Sequence, residues 1–316
     1  MAPLMPASVG HGYSCAELGR HRGMIRAESE RRAAARQPYR RARRADERVQ
    51  LLGVEVDMVR PEEVLHHLER LIEAGGRHVV ANHNLHSIAL YRTDPELRAF
   101  YARAALIECD SIPLILWSRL LGRKGRRLHR CTYLDWREHF WSVAERRGWR
   151  VLYIGGAPGV ADRAAERLRQ RRPGAVIGAL HGYFDMAPGS AENAAVVDAV
   201  REFQPHVLFV GMGMPRQERW IERNHDALPP CVLFSVGAAF DYEAGEQAAA
   251  PRWLGRLGLE WLYRLARDPR RLAHRYLVEP WTLLGPAARD VAGAVRARRS
   301  CRPGAGVPGP SLDEAA

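Results

Sequence analysis

Between residues 49 and 250 the chain alternates short apolar runs with longer stretches whose apolar positions recur at helical spacing. Residues 78–81, 106–109, 151–154, 176–180, 207–210 and 232–236 are the short runs, rich in Val, Leu and Ile and closed by Asn, Asp, His or Gly. Their length and composition read as strands, most of them buried. Residues 49–59 read as a strand or hairpin, and residues 61–73, 95–105, 114–121, 135–147, 160–171 and 191–203 as helices. Pro61, Glu62 and Glu63 suit a first helical turn, where a missing N–H costs nothing and carboxylates face the positive end of the dipole. Strands and helices in this alternation predict βαβ units: an α/β, Rossmann-like, mainly parallel sheet flanked by helices. Strand signals stop at Pro251, and residues 253–299 read as basic amphipathic helices broken at Pro269 and Pro280.

Charge divides the chain more sharply than composition does. Residues 1–48 hold 11 Arg against 5 acids, residues 252–302 hold 12 Arg against 4, and residues 49–251 balance 25 basic with 25 acidic side chains. The organisation expected is a disordered Arg-rich arm over 1–48, an α/β core over 49–251, a helical appendage over 252–300 and a disordered tail over 301–316. Cationic ends around a neutral body suit contact with an anionic surface, either a membrane leaflet or nucleic acid. The five cysteines are scattered without C-x-x-C spacing, which argues against a disulfide framework or zinc site and fits a reducing cytoplasm. No run approaches the roughly 20 apolar residues of a membrane span. Membrane contact is therefore expected to be peripheral, on the cytoplasmic face.

The chemistry is expected at strand ends, where open α/β sheets hold ligands. Val207-Leu208-Phe209-Val210 runs into Gly211-Met212-Gly213-Met214-Pro215-Arg216-Gln217-Glu218, a strand closed by two glycines and a polar trio. Glycines there let main-chain N–H groups approach a ligand. Gly155-Gly156-Ala157-Pro158-Gly159 sits between a strand and a helix, where N–H groups and the dipole can hold phosphate. Asp110 ends a buried run and can act as a base or cap the next helix. His83 and His86 lack a third ligand in the sequence. Glu108 is expected on the opposite strand face from the neighbours of Asp110, so no metal site is expected.

Taken in order, these segments resemble the WecG/TagA/CpsF family, glycosyltransferase family 26. The matches are Asp110 with Arg119-Leu120-Leu121-Gly122, the 155–159 loop, Gly182-Tyr183-Phe184, the 211–218 run, and Phe240-Asp241 with Ala244-Gly245. A sixth runs from Pro251-Arg252-Trp253 through Gly258-Leu259-Glu260-Trp261-Leu262-Tyr263-Arg264-Leu265 and Asp268-Pro269-Arg270-Arg271 to Arg275-Tyr276. The resemblance implies an inverting transfer of a sugar from a UDP-sugar to a polyprenyl-diphosphate-linked saccharide. No cofactor or metal is implied, and the products are teichoic acid, capsule or exopolysaccharide.

It assigns Asp110 as the catalytic carboxylate, followed here by Ser111 where the family usually has glycine. Asn82, Asn84, Gly155, Gly156, Tyr183, Gly211, Gly213, Gln217 and Asp241 fall at donor-pocket positions. Arg130-Cys131-Thr132-Tyr133-Leu134-Asp135 resembles an Arg-x-Thr-Gly-x-Asp segment, adding Thr132 and Asp135 with Tyr133 in place of glycine. Arg264, Arg270, Arg271 and Arg275 match basic appendage positions, suited to a diphosphate because guanidinium binds phosphate oxygens bidentately. Trp253, Trp261, Tyr263 and Trp281 are expected at the membrane interface.

Two other readings compete. A dinucleotide-dependent oxidoreductase calls for an acid about 20 positions beyond a complete glycine fingerprint, and Arg171-Arg172 occupies that neighbourhood. A nucleic-acid-binding protein calls for basic residues interleaved with aromatics on the core, whereas the core is neutral by count. Nucleic acid is therefore not the expected partner. Oligomeric state stays open, a homo-oligomer included.

Overall fold

A computed structural model describes residues 47–247, Leu254 and residues 258–300. Apart from Glu47 and Arg48, the expected N-terminal arm lies outside the described residues, as does the expected tail. The chain enters through an antiparallel hairpin, β1 (Arg48–Leu51) and β2 (Val54–Asp57), turned by Leu52 and Gly53, both at positive φ. Asp57 at its end is fully buried, paired with Arg48 at 2.8 Å, and its carboxylate accepts the Ile107 N–H at 2.9 Å. That bond pins the hairpin to the outer strand of the main sheet.

The main sheet has six parallel strands in the order β4-β3-β8-β7-β5-β6: β3 (Arg77–His83), β4 (Ala104–Cys109), β5 (Arg150–Gly155), β6 (Val176–Leu180), β7 (Val207–Gly211) and β8 (Cys231–Ser235). Every residue of β7 and β8 is buried, which accounts for their unbroken apolar sequences. One face is covered by α1 (Pro61–Ala74), α5 (Tyr133–Arg147), α6 (Val160–Arg171) and the short α9 (Ala239–Ala244). Trp136 of α5 stacks on Phe234 with ring centroids 5.1 Å apart, and Tyr153 on Phe240 at 3.8 Å. The other face is covered by α3 (Pro95–Arg103), α7 (Ala191–Phe203) and α8 (Arg216–Asn224).

A third core joins the hairpin to α2 (Leu85–Thr93), α4 (Ile112–Leu120) and the end of the chain. The C-terminal region contains α10 (Glu260–Arg267), α11 (Pro269–Ala273), a π-turn over His274–Val278, a 3-10 turn over Glu279–Leu283, and α12 (Leu284–Ser300). Pro269 and Pro280 both stand at the first turns of new elements, where proline fits without costing a hydrogen bond. No helix among the described residues is long and apolar enough to cross a membrane.

Candidate active site

Strand order reverses between the β3-β4 pair and the β7-β5-β6 group, and a cleft opens at the carboxyl ends on this line, as expected for an open parallel sheet. It has a larger lobe of ≈ 590 Å³ and a smaller one of ≈ 340 Å³, and Asn84, His86, Asp110, Glu260, Arg264 and Arg275 line both. The floor comes from strand ends, and the roof from the C-terminal helices.

Asp110 follows the last residue of β4, and its N–H donates to the His83 carbonyl at 2.9 Å. Ser111 caps α4 by accepting the Leu114 N–H at 3.4 Å, so Asp110 does not serve as that cap. The Asp110 carboxylate makes no side-chain hydrogen bond among the described residues. It is half-buried, with its open side to the cleft. Burial pushes it up to about 7, Arg264 and Arg130 pull against that rise, and Glu260 and Asp135 add to it. Glu108 also lines the larger lobe, on the strand face it shares with Asp110 and away from the neighbours of Asp110. Residues two apart on a strand share a face, and that period of two decides the matter. Glu108 is buried with Oε1 unpartnered, and desolvation together with the Asp110 charge raises its carboxyl well above the usual range.

The amide side chains of the floor are tied to the scaffold. Asn82 donates to the Ser235 carbonyl at 2.9 Å, joining β3 to β8. Asn84 caps α2 by accepting the Ser87 N–H at 3.0 Å. Gln217, buried in the larger lobe, accepts the N–H groups of Gly213 and Gly237 at 3.2 Å each and donates to Glu218 at 2.6 Å. It thus pins the loops after β7 and β8 together. Glu218 beneath it is fully buried, with Oε2 unpartnered, and desolvation raises its carboxyl to about 7. Gly213 lines the lobe at φ +78°.

The roof is a network of charges. Arg264 donates to Glu260 and, at 3.0 Å, to the Tyr242 hydroxyl. Arg130 reaches Glu260 at 2.9 Å and Asp135 at 3.3 Å, while Thr132 donates to Asp135 at 2.7 Å. Burial alone would raise the Glu260 carboxyl, but the two guanidiniums hold it below its ordinary value. His86 contacts Glu279 at 2.5 Å, and burial plus the Arg275 charge lower its pKa. Arg275 makes no ion pair or hydrogen bond among the described residues, and its Nε is buried without a partner. Burial first, then the Arg264 charge, lower its pKa.

Eight of the residues singled out from the sequence therefore line one cleft: Asn82, Asn84, Asp110, Thr132, Gly213, Gln217, Arg264 and Arg275. Asp135 supports the roof through Arg130. Gly155, Gly156, Gly211, Tyr183 and Asp241 stand outside both lobes. A side chain at Gly155 or Gly211 would strike the carbonyl of the neighbouring strand's end, so these two glycines permit close packing of β5, β7 and β8. A Cβ at Gly156 would meet Asp241 Oδ1 at 3.3 Å. Tyr183 is 70% exposed, and Arg270 is exposed on α11. The Arg271 side chain and Trp253 lie outside the described residues. The sequence reading missed His86, Glu260, Tyr242 and Glu279 as cleft residues. Glu260 four positions before Arg264 was the available signal, since that spacing places an acid and a base on one helix face. Among the described residues no group of three or more His, Cys, Asp or Glu is placed to hold a metal ion.

A parallel α/β sheet whose switch-point cleft gathers a carboxylate and a guanidinium that both lack ion pairs among the described residues has the layout of an enzyme's active site. Residues 49–296 match the model of the glycosyl transferase WecG/TagA/CpsF family, and the chain belongs to that family of glycosyltransferases. It is similar to the N-acetylglucosaminyldiphosphoundecaprenol N-acetyl-beta-D-mannosaminyltransferases of Staphylococcus aureus strains MW2, NCTC 8325 / PS 47 and MRSA252. Each is 25% identical over 235 residues, covering 71% of this chain and 87% of the relative.

Proposed function

We propose that this glycosyltransferase moves a sugar from a UDP-sugar to a polyprenyl-diphosphate-linked saccharide, with inversion and without a metal, in cell-surface polysaccharide synthesis. The observation that carries the reading is the sharing of one cleft by the unbonded Asp110 carboxylate and the unpaired Arg275 guanidinium. Asp110 takes the proton from the acceptor hydroxyl as that oxygen bonds to the anomeric carbon. The bond from that carbon to the UDP phosphate oxygen breaks on the opposite face, and UDP leaves with the electron pair. A single displacement inverts the anomeric centre. Arg264 and Arg275 neutralise the charge gathering on the diphosphate, a task that preorganised cations perform well in a water-poor cleft. Gln217 acts by fixing the Gly213 and Gly237 loops beneath the donor.

The relatives' names supply the first pair to test: an N-acetylmannosaminyl donor and an N-acetylglucosaminyl-diphospho-undecaprenol acceptor. The same reading places the protein peripherally on the inner face of the cell membrane, with residues 252–300 as the membrane-associating appendage. The decisive experiment is a screen of UDP-sugars against that acceptor, with the product's mass and anomeric configuration as readout. Transfer with inversion, undiminished by EDTA, is expected. A retained configuration, or activity lost to EDTA and restored by a divalent ion, would overturn the mechanism.

A further inference from the structure

One cluster of exposed apolar side chains belongs to the core and not to the appendage. On α4, Leu114, Ile115 and Ser118 are buried in the hairpin core, whereas Pro113, Leu116 and Leu120 fall three and four positions apart on the outer face. Leu116 is 45% and Leu120 67% exposed, and Leu128 beyond the helix is 46% exposed. Arg119, Arg123, Lys124, Arg126 and Arg127 stand within nine residues with no acid among them, a concentration the neutral total of the core conceals. All but the half-buried Arg123 are exposed.

The stripe begins at the cleft. Pro113 lines the smaller lobe beside Asp110, and Pro280 lines the same lobe from the C-terminal side. Next to Pro280 are Leu277, Trp281 and Leu284, exposed by 53%, 68% and 60%. The two rims are joined, because Trp117 of α4 donates to Asp290 of α12 at 2.9 Å and Leu283 packs in the same core as Ile112. Large exposed apolar residues bordered by cations form the pattern of a surface resting at a headgroup boundary.

We propose that α4 and the basic turn after it form a second membrane-contact surface, in which Leu116 and Leu120 enter an anionic leaflet while the 119–127 cations meet its headgroups. This seats the smaller lobe against the bilayer from the core side. It rests on the reading of the acceptor as lipid-linked, since only such an acceptor makes that seating useful. An anionic leaflet is favoured over a nucleic acid because the cations border leucines and not exposed aromatic platforms.

The test uses the full chain with Leu116→Ser/Leu120→Ser and, separately, Arg126→Gln/Arg127→Gln. Sedimentation with phosphatidylglycerol-containing vesicles should weaken about tenfold or more for the leucine pair. The arginine pair should lose on the order of twentyfold, less in high salt. Thermal midpoints should stay at the wild-type value, and an unfolded variant leaves the decision to the other. Turnover of a short-chain, water-soluble acceptor should be unchanged while turnover of a long-chain acceptor in vesicles falls with binding. Wild-type vesicle binding in a folded variant, or wild-type binding to single-stranded RNA in preference to vesicles, overturns the proposal. If the wild type binds vesicles but glycosylates neither acceptor, the parent reading of function fails instead, so the two failures are distinguishable.

Discussion

The two walls of the cleft are built on different physics. In the floor, Asn82, Asn84 and Gln217 each spend hydrogen bonds on the scaffold, and Glu218 beneath them is wholly buried. In the roof, Arg130, Arg264 and Glu260 are half-buried and hold one another by ion pairs, and Arg275 is held by none. A floor of this kind is set before substrate arrives, because Asn82, Asn84 and Gln217 are already bonded to the scaffold. The roof keeps an unsatisfied cation, which makes it the wall that gains most from an anionic ligand. Asp110 stands between them, anchored through its backbone and unbonded at its carboxyl.

That contrast can be broken by substitution, and the largest effect should come at the seam. Asp110→Asn should lower kcat on the order of a thousandfold while UDP binding by calorimetry is kept. With a carboxyl at about 7, the wild-type rate should climb as pH rises through that value and then level off, because only the ionised form accepts a proton. A raised carboxyl pKa also means that the folded state holds its proton longer than the unfolded chain. Stability is therefore lost as pH rises from the ordinary Asp range to about 7, and Asp110→Asn should melt higher than wild type at pH 8. On the roof, Arg275→Ala should cost on the order of a hundredfold in kcat/KM with the melting temperature unmoved.

On the floor the balance should reverse. Gln217→Ala should cost about 1–3 kcal/mol in chemical denaturation, because it leaves two glycine N–H groups and Glu218 without partners. A Gln217→Ala protein of wild-type stability but reduced UDP affinity would dissolve the distinction between the walls. The smallest effect should follow Glu260→Gln. Removing a charge that raises the Asp110 pKa should move the pH–rate limb to lower pH, which a full profile would detect.

Much of this architecture was legible from residue order. Each of the six apolar runs from residue 78 onward became a strand of the parallel sheet, and Asp110 fell at a strand's carboxyl end. The glycines were harder to read. Gly155 and Gly211 look like ligand loops in sequence, yet they serve the packing of adjacent strand ends, and only neighbouring backbones distinguish those uses. His86 and Glu279 are 193 positions apart and meet only because the appendage folds back over α2.

The sequence by itself did not reveal the helices Leu85–Thr93, Arg216–Asn224 and Ala239–Ala244. It determined the six strands, most of the core helices, a mainly parallel sheet and the position of the central carboxylate. Those depend on local periodicity and on which runs are apolar enough to be buried on both faces. Tertiary structure alone decided which side chains share the cleft, which amides are already bonded, and which cleft arginine makes no ion pair among the described residues. Hydrogen-bond and charge satisfaction are sums over spatial neighbours, and residues distant in the chain contribute most of the terms.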